Sequence, residues 1–335
     1  MQTKDIIVIG ASAGGVEALI HLCAGLPHDL PAAVFVAQHL SPSTRSMLPQ
    51  LLDRAGPLTA LTPFDGQVFE HGHIYVAGPD HHLLLRPDRM LVRRGPYENR
   101  TRPAINALFR SAAIAFGGRV TGVVLTGLLD DGTDGLIAIK AAGGLSVVQD
   151  PDEAAWPSMP RNAVKRDHVD HVVSLDAMGV LLADIAWQPA HPSVPLPEEY
   201  LTEDQIAAQE FAVMEPDIVT PGQASHISCP DCGGVLNQIV TGNEIRFRCQ
   251  VGHAFTPLGL ADAQNAELER ALGIAVRTHR DRIKLFTQMA DSAQKRGMPH
   301  AVDRWERAKE ESEQMIDVLE QATTAFRRPP TDGEA

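Results

Sequence analysis

No stretch of the 335-residue chain approaches the roughly 20 consecutive apolar residues of a membrane-spanning helix. The N-terminus also lacks a basic run leading into a long apolar segment, so neither membrane insertion nor export is expected, and the cytoplasm is the expected compartment. Cysteine is scarce. Cys23, Cys229, Cys232 and Cys249 are too few and too uneven for a disulfide scaffold. Positive charge is short as well: the formal net charge is −13, and no Lys or Arg lies between Arg166 and Arg246. A nucleic acid or an anionic membrane surface is therefore not expected as the main partner, since either needs a clustered basic face. Repeats and low-complexity tracts are absent too. What is present, 44% hydrophobic residues over this length, suffices for a sizeable core and two or more domains.

The chain is organised around Ile6 to Gly15, IIVIGASAGG. Ile6 to Ile9 read as a buried strand, and Gly10 to Gly15 as a tight turn into a helix whose apolar face carries Val16, Leu19, Ile20, Cys23 and Leu26. Ser12 is the one polar side chain of that turn. It sits at a helix N-terminus, where unpaired N–H groups favour an anion, either bound or developing. A second buried strand, Ala33 to Gln38, ends at His39, and Ser43 is a candidate cap for the next helix. LTALTPF, HIYVAGP, LLLRPD and MLVRRG read as short strands, expected as an antiparallel addition to a parallel core. Pro103 fits the first position of a helix running through Phe116. Val120 to Thr126 is a further strand, ending in GLLDDGTDG; two more strands follow, and Asp176 is a candidate cap for a last short helix. Alternating strands and helices over 1–187 predict an α/β domain, a doubly wound, mostly parallel sheet.

An acidic, Pro-rich linker is expected over 188–225, then a cysteine module over 226–258, a helical hairpin over 259–328 broken at Arg296 to Pro299, and a disordered tail over 329–335. One stripe of the hairpin carries Leu268, Leu272, Ala275, Phe286 and Met289; the other carries Trp305, Ala308, Met315, Leu319 and Phe326. Such stripes usually form core, and docking to a signalling partner is the alternative.

Gly10-x-Ser12-x-Gly14 between strand and helix matches a nucleophile elbow, although glycine turns after a first strand also mark dinucleotide sites. A nucleophilic serine needs an imidazole to take its proton and a carboxylate to orient the imidazole. His39 and Asp131 both close parallel strands on the Ser12 edge, with Asp130 a rival to Asp131 and Asp134 a possible helix cap. Six arginines, Arg86, Arg89, Arg93, Arg94, Arg100 and Arg102, fall within one short stretch: either a solvated hairpin or a surface for an acidic partner. His71, His73, His81 and His82 read as ordinary surface residues of hairpin turns.

Together the segments IGASAGG, AQHLSPS, GHIYVAGPDHHLLL, NRTRPAINALFRSAA, VVLTGLLDDGTDGL, AAGG and SMPRNAV resemble, in order, the catalytic domain of the CheB-type chemotaxis protein-glutamate methylesterases. The resemblance implies a serine esterase that removes methyl groups from glutamate side chains of chemoreceptors, with Ser12 as nucleophile, His39 as base and Asp131 as orienting acid. Ala13, Gly14 and Leu128 would then border the oxyanion, and Asn99, Arg100 and Arg102 would meet an acidic, helical protein substrate. Glutamine deamidation would use the same chemistry. Ala13 replaces a hydroxyl residue usual in the family, Leu128-Leu129 stand where Met-Gly is common, and DEAAWPS departs from many members. The receiver domain usually fused ahead of the esterase has no counterpart before Ile6, so control by in-chain phosphorylation is not expected. The alternative reading is a non-catalytic adaptor that keeps the esterase fold.

Cys229-x2-Cys232 and Cys249-x3-His253 offer three thiolates and an imidazole on two glycine-containing knuckles joined by a hairpin-like stretch, a set suited to structural zinc in a ribbon-like module. Four protein ligands leave no open position, so no metal is expected to take part in catalysis.

Overall fold

A computed structural model describes residues 2–43, 46–209, 221–242 and 244–326. The expected tail and the central part of the expected linker fall outside them. The strands are β1 (Ile6–Ala11), β2 (Ala33–Gln38), β3 (Thr59–Leu61), β4 (His73–Val76), β5 (His82–Leu85), β6 (Met90–Arg93), β7 (Val120–Val124), β8 (Leu145–Gln149) and β9 (His171–Val173). Among them run α1 (Gly15–Ala24), α2 (Leu48–Ala55), α3 (Ile105–Phe116), α4 (Thr133–Ala141), α5 (Ser158–Arg166) and α6 (Leu175–Ala186). After these come α7 (Glu198–Ala208), β10 (Gln223–Ser228), β11 (Val235–Thr241), β12 (Glu244–Cys249), β13 (Ala254–Phe255), α8 (Pro257–Lys295) and α9 (Pro299–Phe326).

Seven strands form one sheet in the order β3-β4-β2-β1-β7-β8-β9, all parallel. Every residue of β1 and β2 is buried because helices cover both faces. Alternate residues feed the two cores. Ile6 and Val8 join Leu108, Phe109, Leu136 and Met159 of α3, α4 and α5 on one side, while Ile7 and Ile9 join Leu19, Leu52 and Leu182 of α1, α2 and α6 on the other. Because β1 lies between β2 and β7, the chain winds outward from it in both directions. The crevice at the carboxyl ends of these three central strands is where such a sheet binds ligands.

Several local expectations are corrected. LTALTPF and HIYVAGP supply β3 and β4, which extend the parallel sheet; of these four segments only those forming β5 and β6 pair antiparallel, as a separate ribbon. The helix α2 and the connection over 62–72 give the chain length to return in the same direction. Helix α2 starts at Leu48, with the Ser46 hydroxyl accepting from the Leu48 N–H, while Ser43 pairs with Ser41. Ser174, not Asp176, caps α6, and Asp176 instead meets His21. Pro103 precedes Ala104, the cap residue of α3, instead of opening the helix. His82 is no surface residue: it is fully buried, with one ring nitrogen against the Pro96 carbonyl and the other accepting from the Ala104 N–H, and desolvation holds its pKa below the ordinary value.

Two compact units are distinguished, Met1–Leu260 and Ala261–Ala335. The four-stranded sheet β10-β11-β12-β13 belongs to the first. In the second, Phe286 stacks on Trp305 with ring centroids 5.6 Å apart, and Ala290, Ala293 and Ser312 are buried. Leu268, Met289 and Met315 are exposed, so the stripes read from the sequence are wider than the buried seam. No helix among the described residues is long and apolar enough to cross a membrane.

Candidate active site

Ser12 follows β1 directly. Its N–H donates to the Thr126 carbonyl (3.0 Å), its carbonyl accepts from the Gly15 N–H (2.9 Å), and α1 begins at Gly15. Two glycines make this turn possible. Gly14 holds φ of 71°, a left-handed conformation that side chains disfavour, and a Cβ on Gly15 would lie 2.2 Å from Gln38 Oε1. That contact matters because Gln38, the last residue of β2, donates its Nε2 to the Ser12 carbonyl (2.8 Å) and the His39 carbonyl (3.1 Å). The end of β2 and the turn after β1 are thereby locked together.

His39 leaves β2 with its ring between two partners. Nδ1 lies 3.1 Å from Ser12 Oγ, and Nε2 lies 2.7 Å from Asp131 Oδ2. The ring is engaged in the opposite sense from the serine-protease arrangement, where Nε2 meets the serine, and either ring nitrogen can accept a hydroxyl proton. With the proton on Nε2 donated to Asp131, Nδ1 is free to accept from the serine hydroxyl. The His39 side chain is 16% exposed and that of Asp131 3%.

Asp131 sits in the loop after β7, the other neighbour of β1. Its carboxylate also accepts from the N–H groups of Ile105 (2.8 Å), Asn106 (3.2 Å) and Gly132 (3.1 Å), and from Asn99 Nδ2 (3.3 Å). Helix α3 opens with Ala104 and has no side-chain cap of its own, so Asp131 fills that role from outside. The exchange is reciprocal. Asn106, in the first turn of α3, accepts from the N–H groups of Gly132 (3.0 Å) and Gly135 (2.8 Å) at the start of α4, which also lacks its own cap. Each helix start thus supplies the acceptor for the other, and the carboxylate that faces His39 is one half of the exchange.

Asp130, the sequence rival, points elsewhere: it meets Arg166 (3.0 Å) and the Thr256 hydroxyl (2.7 Å). Desolvation raises its pKa, opposed by Thr256 and Arg166. Asp134 lies in the first turn of α4, and burial pushes it up to about 7 despite Arg166 and Arg246 nearby. Leu128 is 49% exposed and Trp156 48%, Trp156 beside Gly14, so an apolar rim adjoins the serine turn.

All six arginines of the basic stretch have acidic partners. Arg86 pairs with Asp204, Arg89 with Asp88, Arg93 with Asp65, Arg94 and Arg102 with Asp80, and Arg100, at 3.5 Å, with Asp231. Arg102 is 9% exposed and also donates to the Gly95 carbonyl, whereas Arg100 keeps an exposed side chain. Asn99 is turned inward, between Asp131 and the Thr256 N–H.

Cys229, Cys232, Cys249 and His253 converge, their donor atoms all within 4.8 Å of one another. Cys232 Sγ and Cys249 Sγ are 3.7 Å apart, and His253 Nδ1 lies 3.7 Å from Cys229 Sγ and 3.6 Å from Cys249 Sγ. A tetrahedral ion bonded at about 2.3 Å to sulfur and about 2.0 Å to nitrogen separates its ligands by about 3.5–3.8 Å, so the set fits one metal ion. Gly233 and Gly252 carry the two knuckles at φ of 74° and 102°.

Reading the sequence alone passes over Gln38, Asn106, Thr126 and Thr256, which hold these groups in place. One part of this was visible: α3 starts at Ala104 without a capping side chain, which obliges it to find an acceptor elsewhere, whereas Asp134, a possible cap for α4, makes no capping bond in the structure.

The sequence model of the CheB methylesterase family matches residues 7–182. The chain is 36% identical over 185 residues to protein-glutamate methylesterase/protein-glutamine glutaminase 2 of Methanosarcina mazei, covering 53% of this chain and 50% of that protein. It is 37% identical over 195 residues to protein-glutamate methylesterase/protein-glutamine glutaminase 6 of Anaeromyxobacter dehalogenans, covering 56% and 55%. It thus spans about half the length of these relatives. The crystal structure of the Thermotoga maritima CheB methylesterase catalytic domain matches with a TM-score of 0.52 and 29% identity, over 54% of this chain and 97% of that one. These matches cover the α/β part that carries Ser12, His39 and Asp131, and the chain belongs to the CheB methylesterase family.

Proposed function

We propose that this chain hydrolyses glutamate γ-methyl esters on a helical, acidic protein of the chemoreceptor type, through an acyl-enzyme on Ser12. The observation that carries the reading is the Ser12–His39–Asp131 relay at 3.1 and 2.7 Å, with the carboxylate pinned by two N–H groups of α3. Ser12 Oγ attacks the ester carbonyl as its proton passes to His39 Nδ1, while Asp131 holds the Nε2 proton and stabilises the imidazolium. The tetrahedral oxyanion collapses, and methanol leaves with the proton returned by Nδ1. Water then enters, gives a proton to the same nitrogen and releases the glutamate. A glutamine side chain would follow the same course with ammonia as the leaving group. The N–H groups of Ala13 and Gly14 have no protein acceptor among the described residues and stand at the start of α1, suited to the oxyanion; Leu128 borders the same space. Asn99 serves the relay from within, Arg102 serves its own loop, and Arg100 remains as the arginine that meets an acidic substrate.

The cysteine module holds structural zinc through Cys229, Cys232, Cys249 and His253, which when bound closes the two knuckles and has no open position for a substrate. The exposed apolar side chains of α8 and α9 suit a partner helix. The deciding experiment is methanol release from a methylated receptor: Ser12→Ala should abolish it, and turnover at the wild-type rate in that variant would overturn the reading.

A further inference from the structure

The four-stranded sheet reaches the loop that carries Asp131. Between β13 and α8, Thr256 is 2% exposed. Its hydroxyl donates to Asp130 Oδ1 (2.7 Å) and accepts from the Gly259 N–H (3.0 Å), and its own N–H donates to Asn99 Oδ1 (2.9 Å). The other end of that amide, Nδ2, donates to Asp131 Oδ1 (3.3 Å). The backbone fixes Asn99 between these partners: it takes φ of 49°, a left-handed conformation asparagine tolerates, and its N–H donates to the Ala254 carbonyl (2.8 Å) in β13. On the far side of the loop, Glu244 of β12 binds Arg166, which in turn binds Asp130 and Asp134. Beneath them, Arg248 of β12, fully buried, joins Glu98 (3.0 Å) and Glu203 (3.3 Å), and Glu98 joins Arg110 of α3.

Both adjacent carboxylates of the aspartate loop are thus tied to the four-stranded sheet, Asp130 through Thr256 just past β13 and through Arg166 to Glu244, and Asp131 through Asn99. Packing alone would be served by an apolar contact; two directed hydrogen bonds from one threonine into a pair of loop anchors fix orientation. We propose that this sheet is a clamp on the aspartate loop, with Thr256 and Asn99 as positioning residues that set the Asp131 carboxylate and through it the His39 ring. The proposal rests on the esterase reading.

The test uses the full chain and three variants, Thr256→Val, Thr256→Ser and Asn99→Ala, each checked for an intact melting transition. An alkyl fluorophosphonate reports nucleophile activation by its rate of labelling, methanol release separates kcat from KM, and the low-field proton resonance of the His39 imidazole reports its bond to Asp131. Thr256→Val should label and turn over about tenfold more slowly, equal to about 1.4 kcal/mol, with KM unchanged. Its imidazole resonance should shift or broaden. Thr256→Ser, which keeps the hydroxyl, should recover the rate and the resonance. If Thr256→Val does not fold, Asn99→Ala must show the same slowing. A folded Thr256→Val or Asn99→Ala that labels at the wild-type rate with an unchanged resonance overturns the clamp while leaving the esterase reading intact. A wild-type chain that neither labels nor releases methanol overturns both.

Discussion

Replacing Asn106 with Ala removes the one acceptor shared by the first amides of α4. Asn106 is 6% exposed, and its Oδ1 lies 3.0 Å from the Gly132 N–H and 2.8 Å from the Gly135 N–H, both on buried residues. A buried donor left without a partner costs about 1–3 kcal/mol. Only the Gly135 N–H is left so, because the Gly132 N–H keeps Asp131 Oδ1 at 3.1 Å; the loss should be about 1–3 kcal/mol, a fall in melting temperature of roughly 2–10 °C. The effect on chemistry should exceed the fraction unfolded, because Gly132 is the neighbour of Asp131 and the same segment presents that carboxylate to His39. Thermal melts and fluorophosphonate labelling on one preparation separate the two effects. Asn106→Asp keeps an acceptor oxygen and should recover most of the lost stability. A melting temperature for Asn106→Ala equal to that of the wild type would refute the reciprocal capping of α3 and α4.

Asp134 makes a pH-dependent contribution whose sign follows from its burial. Its pKa rises from 3.8 to about 7 on folding, so between these values the folded chain holds a proton that the unfolded chain has released, and stability falls as pH rises through that window by on the order of 4 kcal/mol. Asp134→Asn lacks this dependence; melts at pH 5 and pH 8 should show the variant gaining on the wild type at the higher pH, and a constant gap would contradict the argument. Burial works against charge on Glu98, but Arg110 and Arg248 outweigh it and hold its carboxyl below the usual range. Glu98→Gln leaves Arg110 facing a neutral amide and Arg248 with the carboxylate of Glu203 alone, and should cost about 3–5 kcal/mol, read from the urea midpoint; an unshifted midpoint would refute it. Elemental analysis should find one zinc per chain and none in Cys249→Ser, with amide exchange rising in β10 to β12 and not in β1. Zinc retained by the variant would remove Cys249 from the ligand set.

The parallel core was legible because its signals are local. Ile6 to Ile9 and Ala33 to Gln38 are unbroken apolar runs that only a doubly covered sheet buries, and the glycines after β1 announce a sharp turn. Ser12, His39 and Asp131 could be paired because each follows such a strand, Ser12 and His39 directly and Asp131 in the loop after β7, and the strand ends of one sheet lie along one edge. The cysteine spacing likewise carries its own geometry. What could not be read depends on contacts distant in sequence. His82 sits in a turn-rich segment like its neighbours, and only the packing of Pro96 and Ala104 around it buries it. The six arginines resemble an open basic surface until their partners, from Asp65 to Asp231, are brought beside them. β3 and β4 are short enough that direction is decided by where α2 packs and not by their own residues.

The same distinction explains why the carboxylate that meets His39 is the second aspartate of Asp130-Asp131 and not the first. Local pattern alone does not separate the two, both before Gly132 and after the β7 strand, and only the family resemblance points to Asp131. What separates them is the start of α3, which arrives without a cap and offers N–H groups to one carboxylate only. Asp131 takes those bonds and faces His39; Asp130 is left for Arg166 and Thr256. A helix that capped itself, with Ser or Asp in place of Ala104, would compete for its own N–H groups and loosen Asp131. The missing cap is therefore what allows a helix terminus to hold the carboxylate that meets His39, and the stability forgone locally at Ala104 is recovered through Asp131.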